Sequence, residues 1–121
     1  MNQLTIIGNL TKAPELRVTN SGREVCNFMV AVNRRQKDAN GNNLADYFRV
    51  SAWDERAKVC ATYLSKGKKV CVVGAVGVNT YTGNDGVTRA QMEVIANMVE
   101  FLSPKDGYTK VEDEDNPFVG G

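Results

Sequence analysis

The sequence predicts an all-β fold, a five-stranded Greek-key barrel with one helix between the third and fourth strands. Five runs of the chain are rich in β-branched and other apolar residues, which favours strands. One segment between the third and fourth runs repeats its apolar residues at helical spacing. The pairs Asn40-Gly41 and Asp85-Gly86 are turn signals between strands. These observations together predict the order β-β-β-α-β-β.

The first three strands are predicted at residues 3–10, 24–32 and 47–53. Asn20-Ser21-Gly22 is a turn signal and predicts a first hairpin. Residues 33–46 are rich in Asn, Asp, Gly and basic side chains, with Asn40-Gly41 near the middle. This composition predicts a long basic hairpin, which we call the finger.

The helix is predicted over residues 55–66, with Asp54 as a candidate N-cap and Gly67 as a candidate stop. Its apolar residues recur at i, i+3, i+4 and i+7, so one stripe should face the core. These residues are Ala57, Cys60, Ala61 and Leu64. The last two strands, residues 69–79 and 88–102, are predicted to form a hairpin through residues 81–86.

Five strands with one helix between the third and fourth are the arrangement of an OB-fold. This small barrel binds oligonucleotides on one face and with its loops. An immunoglobulin-like sandwich would need about seven strands and no intervening helix, and a parallel α/β sheet would need more helices. The number and order of the elements therefore favour the OB-fold.

Length and composition predict one small domain with an appendage. At 121 residues the chain is long enough for one compact domain and too short for two. No apolar run approaches the roughly 20 residues that span a bilayer, and the amino end lacks the basic start of a signal peptide. We therefore expect a cytoplasmic protein. Cys26, Cys60 and Cys71 lie far apart in apolar stretches and are interpreted as core residues, not as disulfide or metal ligands.

Charge divides the chain into a basic body and an acidic end. Residues 1–111 carry fifteen Lys and Arg against ten Asp and Glu, a net charge of +5, whereas residues 112–121 carry −4. A basic body suits a polyanion such as nucleic acid. Asn116, Pro117 and Phe118 directly follow four consecutive acids, and a tail that served only solubility would have no use for an exposed aromatic residue. We therefore expect residues 103–121 to be a short linker and a tail for another partner.

Four stretches are specific in their order and spacing, namely GNLTKAPELR at 8–17, FMVAVNR at 28–34, DYFRV at 46–50 and YLSKG at 63–67. Together they closely resemble the bacterial single-stranded DNA-binding protein family over residues 1–102, and the acidic tip resembles that family as well. The resemblance implies an OB-fold that assembles into homotetramers, with a dimer as the other possibility. It also implies a nucleoid-associated protein that coats single-stranded DNA, without catalysis or a cofactor, during replication, recombination and repair.

Three aromatic residues, Tyr47, Trp53 and Tyr81, stand where the resemblance places rings that stack on bases. Stacking suits binding that ignores base sequence, because every base has a π-face. For Trp53 the alternative is a core tryptophan. Tyr81 is assigned to DNA because it lies beside a Gly-rich hairpin tip, where a buried ring has little to pack against. Tyr47 is assigned to DNA because Phe48 and Val50 should point to the opposite face of its strand.

Seven basic residues are expected to contact phosphates. Arg34, Arg35 and Lys37 cluster on the finger, and the resemblance adds Arg17, Arg49, Lys66 and Arg89, which match basic positions of the family. Gln36 stands where the family usually has an aromatic residue, and Gly77 and Asn79 stand where basic residues are common. We therefore expect a smaller footprint or a weaker affinity than extensively wrapped binding would give.

In the tail, the residues expected to bind replication, recombination and repair proteins are Asp113, Asp115, Pro117 and Phe118. The family's tip ends at its Pro-Phe, whereas Val119, Gly120 and Gly121 follow here. The expectation is therefore that such partners bind the intact tail weakly.

An enzyme is not expected. The chain has no histidine, which removes the commonest general base and a leading zinc ligand. It also has no Walker-type phosphate loop, and its adjacent acids resemble a helix start and a tail rather than a held acid-base pair. The alternative to DNA coating is an OB-fold adaptor that binds protein, or a replication-restart accessory, with a reduced DNA face.

Overall fold

The computed structural model describes residues 1–103 of the chain. Its elements, in chain order, are β1 (Leu4–Leu10), β2 (Glu15–Val18), β3 (Glu24–Lys37), β4 (Asn43–Trp53), α1 (Glu55–Tyr63), β5 (Lys69–Thr82) and β6 (Thr88–Phe101). The predicted partner-binding residues of the tail, Asp113, Asp115, Pro117 and Phe118, lie outside the described residues.

The strands close into a barrel. Neighbours in the sheet follow the order β1-β5-β6-β4-β3-β2, and a further pairing of β1 with β3 completes the ring at Asn9↔Ala31 and Leu10↔Val30. The pairing of β4 with β6 is parallel, and the other pairings are antiparallel. Helix α1 follows β4 and packs mainly against β3 and β4. The predicted OB-fold is confirmed.

The predicted order β-β-β-α-β-β is wrong in one respect, because a short additional strand, β2, precedes β3. The turn at Asn20-Ser21-Gly22 therefore joins β2 to β3 rather than β1 to β3. All four side chains of β2 are exposed, so backbone pairing with β3 holds this strand in place. A run of four residues with no buried face gives strand prediction little signal.

Two long hairpins extend from the barrel. The first is the finger, and its prediction as a hairpin is confirmed, because β3 continues to Lys37 and β4 begins at Asn43. The Asp38 carboxylate fixes the tip by accepting hydrogen bonds of 2.9 Å from the backbone N–H groups of Asn40 and Asn42. The second hairpin joins β5 to β6, as predicted, through residues 83–87.

The helix begins at Glu55 as predicted but is shorter than predicted. It ends at Tyr63 because Leu64 is extended, with φ −94° and ψ 149°, so Gly67 is not its stop. The predicted apolar stripe is confirmed, since Ala57, Cys60 and Leu64 are buried. Asp54 occupies the N-cap position but makes no side-chain cap hydrogen bond, because its carboxylate binds Arg23 instead. Within residues 1–103, no helix is long and apolar enough to cross a membrane.

The core is apolar and includes two of the three cysteines. Cys26 and Cys60 are fully buried, whereas Cys71 is half-buried. Burial raises the pKa of Cys26 to about 11 and that of Cys60 to about 12, so both remain neutral thiols at physiological pH. The interpretation of the cysteines as core residues is confirmed for these two.

Candidate nucleic-acid interface

One surface of the barrel is built around the outward-facing residues of β4. Side chains alternate along this strand between the core and the outside. The inward residues are Phe48, Val50 and Ala52, and the outward residues are Tyr47, Arg49, Ser51 and Trp53. Tyr47 is 54% exposed, so its predicted orientation, opposite to Phe48 and Val50, is confirmed.

Neighbouring strands extend this surface through their register. Arg49 pairs with Glu93 of β6, and Ser51 pairs with Asn27 of β3. Between these strands and β5 lies an open groove of about 510 Å³, which we call the outer groove. Its lining residues are Arg17, Asn27, Arg49, Ser51, Asn79, Thr80, Tyr81, Gln91 and Glu93. Three predicted site residues from three different strands, Arg17, Arg49 and Tyr81, thus share one groove.

Hydrogen bonds across three strands hold the floor of the outer groove. Arg17 donates from Nε to Oδ1 of Asn27 at 3.3 Å, and Asn27 donates from Nδ2 to Oγ of Ser51 at 2.8 Å. These bonds orient Arg17 without neutralising it, because an amide oxygen carries no formal charge. Arg17 therefore keeps its full positive charge for an anionic ligand.

The β5 side of the outer groove is neutral, in agreement with the sequence. A Cβ added at Gly77 would meet open space, and Asn79 lines the groove with an amide. Glu93 is half-buried in the groove, so the surface is mixed in charge. Among residues 1–103, no cluster of His, Cys, Asp and Glu is arranged to hold a metal ion.

The three predicted cations of the finger differ in their surroundings. Arg34 donates from Nε and Nη2 to Oδ1 of Asp46 at 3.0 and 2.7 Å. This hydrogen bonding lowers the pKa of Asp46 and raises that of Arg34. Arg35 and Lys37 have no carboxylate partner among the described residues. They are therefore the cations of the finger that are available to phosphates without the loss of an ion pair.

Arg89, on the second hairpin, is paired in the same way as Arg34. It lies opposite Tyr81 and donates from Nη2 to Oδ2 of Asp85 at 2.7 Å. This contact, with a further hydrogen bond from the Val87 N–H group, lowers the pKa of Asp85. Asp85 thus fixes the hairpin tip and compensates the charge of Arg89.

Lys66 lies apart from the other predicted site residues. It is exposed in the turn between α1 and β5, and it lines neither the outer groove nor the smaller depression of about 180 Å³ beside Arg49. The structure therefore does not bring Lys66 into the groove with Arg17 and Arg49.

Trp53 is neither a core residue nor an open platform, because it is half-buried and Arg23 covers its ring. The guanidinium carbon of Arg23 lies 4.5 Å from the ring centroid, a cation–π distance. Sequence reasoning missed Arg23. Trp53 pairs across the strands with Val25, two residues after Arg23, and this pairing is the signal that indicates Arg23. The pairing is known only from the strand register in the structure.

Comparison with known proteins gives a consistent set of similarities. The family model described as "Single-strand binding protein family" matches residues 1–102. The chain is 40% identical over 106 residues to single-stranded DNA-binding protein 1 of Clostridium acetobutylicum, covering 87% of this chain and 96% of the relative. It is 39% identical over 104 residues to single-stranded DNA-binding protein B of Bacillus subtilis, covering 86% and 92%. A single-stranded DNA-binding protein of Halalkalibacterium halodurans is 35% identical over 121 residues, covering all of this chain and 72% of the relative.

Proposed function

The chain belongs to the single-strand binding protein family, and we propose that it binds single-stranded DNA without regard to base sequence. The observation that supports this most is the outer groove, in which cations from β2 and β4 meet an aromatic ring from β5. Cations that follow phosphates and rings that stack on bases are the two requirements of such binding.

In this proposal the bases stack on exposed tyrosines. Tyr47 and Tyr81 are 54% and 52% exposed, so each offers a ring face without rearrangement of the core. Trp53 is the third aromatic residue of the proposed site. A single strand can present its base faces to these rings, whereas a duplex keeps them inside its own stack.

The predicted cations are proposed to contact phosphates. The cations that have no carboxylate partner do so most readily. Of the seven predicted cations, five have no such partner among residues 1–103, namely Arg17, Arg35, Lys37, Arg49 and Lys66. Arg34 and Arg89 would first have to exchange Asp46 and Asp85 for a phosphate. This difference ranks the five unpaired cations ahead of the two paired ones.

The proposed division of the chain is a DNA-binding domain at residues 1–102 and a linker with an acidic tail at residues 103–121. The tail, residues 112–121, carries four of the fourteen acids and Phe118, and we assign it to the recruitment of replication, recombination and repair proteins. The role of the whole protein is to coat and protect single strands in the cytoplasm, without catalysis.

Self-assembly into a homotetramer is part of the proposal. Large apolar side chains are also exposed outside the lining of the outer groove, on β1 and on the later part of β6, with Ile7 at 50%, Met98 at 48% and Ile95 at 56% exposure. Exposed apolar residues favour contact with another apolar surface, and a second copy of the chain supplies one. Light scattering that gave the mass of a single chain at working concentration would contradict this part of the proposal.

The salt dependence of binding tests the proposed DNA contact. If the five unpaired cations each neutralise one phosphate, the log-log slope of affinity against salt should be about −3.5 per subunit. Quenching of Trp53, the only tryptophan, by an unstructured oligonucleotide measures this slope. Arg35→Ala should reduce the slope by about 0.7, with Lys110→Ala, in the proposed linker, as a control that removes the same charge. An affinity that did not depend on salt would contradict the proposal.

A further inference from the structure

Asp54 has a backbone conformation that an aspartate rarely adopts. Its φ is 59° and its ψ is −126°, and it is the only non-glycine residue with positive φ among those the structure describes. Glycine is the residue that takes this conformation without strain. A strained residue persists where the surrounding structure holds it.

The strained backbone of Asp54 is anchored at both ends. Its N–H group donates to the carbonyl oxygen of Glu24 at 2.9 Å, and its carbonyl oxygen accepts from Ala57 at 3.0 Å. The carboxylate is thereby directed at Arg23, which donates from Nη2 to Oδ2 at 2.9 Å and from Nε to Oδ1 at 3.3 Å. This hydrogen bonding lowers the pKa of Asp54 and raises that of Arg23, so both groups are charged at neutral pH.

The pairing with Asp54 fixes the plane of the Arg23 guanidinium. Two donors on one edge of the guanidinium, Nε and Nη2, bind the Asp54 carboxylate. The guanidinium lies over Trp53, with its carbon 4.5 Å from the ring centroid. The Arg23 side chain is nevertheless 54% exposed. One side of the guanidinium therefore covers Trp53, while the other side remains open to a ligand.

We propose that Arg23 is a base-stacking residue, layered on Trp53 and held in position by Asp54, so that a nucleobase packs on its open side. This inference rests on the proposed function and adds two residues to the proposed site. Guanidinium planes stack on nucleobases as aromatic rings do, and the cation adds an attraction to the base π-system. Trp53 then supports the stack from below, and Asp54 is a positioning residue that does not touch DNA.

The direction in which a substitution at Asp54 changes DNA affinity shows whether Asp54 positions Arg23 or acts only through its charge. Removal of a negative charge near a polyanion should strengthen binding by electrostatics alone. If Asp54 positions Arg23, Asp54→Asn should instead weaken binding. Glu55→Gln is the matched control, because it removes a charge one residue away, and within residues 1–103 the Glu55 carboxylate pairs only with Lys58, at 3.4 Å.

The experiment titrates the full chain and its variants with an unstructured oligonucleotide and follows Trp53 fluorescence. Arg23→Lys keeps the positive charge but loses the planar guanidinium. We therefore expect the affinity for the oligonucleotide to fall about 5-fold or more while the salt slope is unchanged. Asp54→Asn should weaken binding in the same direction, whereas Glu55→Gln should leave it equal or slightly stronger. Asp54→Gly should also weaken binding, yet raise the melting temperature by roughly 4 °C, because the backbone strain is relieved.

The possible outcomes are distinguishable. If Asp54→Asn binds as tightly as Glu55→Gln or more tightly, or if Arg23→Lys binds like the parent, a base does not stack on Arg23 and the inference is wrong. If Arg23→Lys gained affinity, the base would stack on Trp53 itself after displacing Arg23 from the ring, and this result would also overturn the inference. A parent protein that binds no single strand at all would instead contradict the proposed function.

Discussion

A chain that carries both Tyr47→Ala and Tyr81→Ala is expected to lose about 2 to 6 kcal/mol of single-strand binding energy, or about 30-fold in affinity at the lower limit. Each ring is half exposed and lies on a different strand, so the two losses should be close to additive. Neither substitution removes a charge, and the salt slope should therefore stay that of the parent protein. Equilibrium titration at several salt concentrations measures both quantities.

Tyr63→Ala is the matched control for this double substitution. Tyr63 is also 54% exposed, but it lies on α1 and contacts Phe101 at a ring centroid distance of 6.0 Å. Its replacement should leave DNA affinity unchanged. If the double variant unfolds at the parent's temperature and binds within about twofold of the parent, the tyrosines are not stacking platforms.

Removal of residues 112–121 is expected to abolish the binding of tail-recognising partners and to strengthen DNA binding slightly. The deletion removes four acids and leaves residues 1–111 with a net charge of +5. The acidic tail can then no longer repel DNA or compete with it for the basic surface. Phe118→Ala should abolish partner binding without the effect on DNA, because it changes no charge. Calorimetry against a repair helicase that binds such tails, with DNA titrations in parallel, measures both effects.

The two variants of the tail separate its two proposed roles. A Phe118→Ala chain that still bound the helicase would show that the acids alone are recognised. A deletion that left the salt dependence and the DNA affinity untouched would show that the acids do not compete with DNA. Either result would remove one part of the role proposed for residues 103–121.

Paired arginines moderate the positive charge of the proposed interface. Arg34 and Arg89 are each bound by a carboxylate at 2.7 Å, and both pairs are about half exposed. Such exposed pairs contribute little to stability, so phosphates can replace the carboxylates during binding. Because these contacts lower the pKa values of Asp46 and Asp85, their small stabilising effect is present at neutral pH. It is lost only on acidification below the usual range of a carboxyl group.

Local patterns in the sequence predicted those parts of the fold that depend on local chemistry. The stripe of Ala57, Cys60 and Leu64 identified the helix, and the Gly-containing turns identified both long hairpins. Strand β2 was missed because none of its side chains is buried. The helix start at Glu55 was predicted, but the loss of the Asp54 side-chain cap was not. The Asp54 carboxylate accepts hydrogen bonds from Arg23, 31 residues earlier in the chain, and no local pattern reports a contact of that range.

The predictability of the site follows the same rule. Tyr47 could be oriented from strand alternation alone, because Phe48 and Val50 identify the core face. The meeting of Arg17, Arg49 and Tyr81 in one groove depends on the register of several strands, which no local pattern reports. Arg17 and Arg49 were assigned only through the resemblance to a family. The pairing of Arg34 with Asp46 and the cover of Arg23 on Trp53 are cross-strand contacts, so sequence reasoning could not rank the cations.

The most direct test of the central claim is a competition between single-stranded and duplex DNA of the same sequence. The protein is bound to a labelled single strand at moderate salt, and the unlabelled strand or the duplex is added while fluorescence anisotropy is recorded. We predict displacement by the single strand at concentrations near its own dissociation constant, and by the duplex only at concentrations at least about 10-fold higher, since its base faces are hidden from Tyr47 and Tyr81. Equal displacement by the two would contradict the claim that this protein binds single strands through exposed aromatic rings.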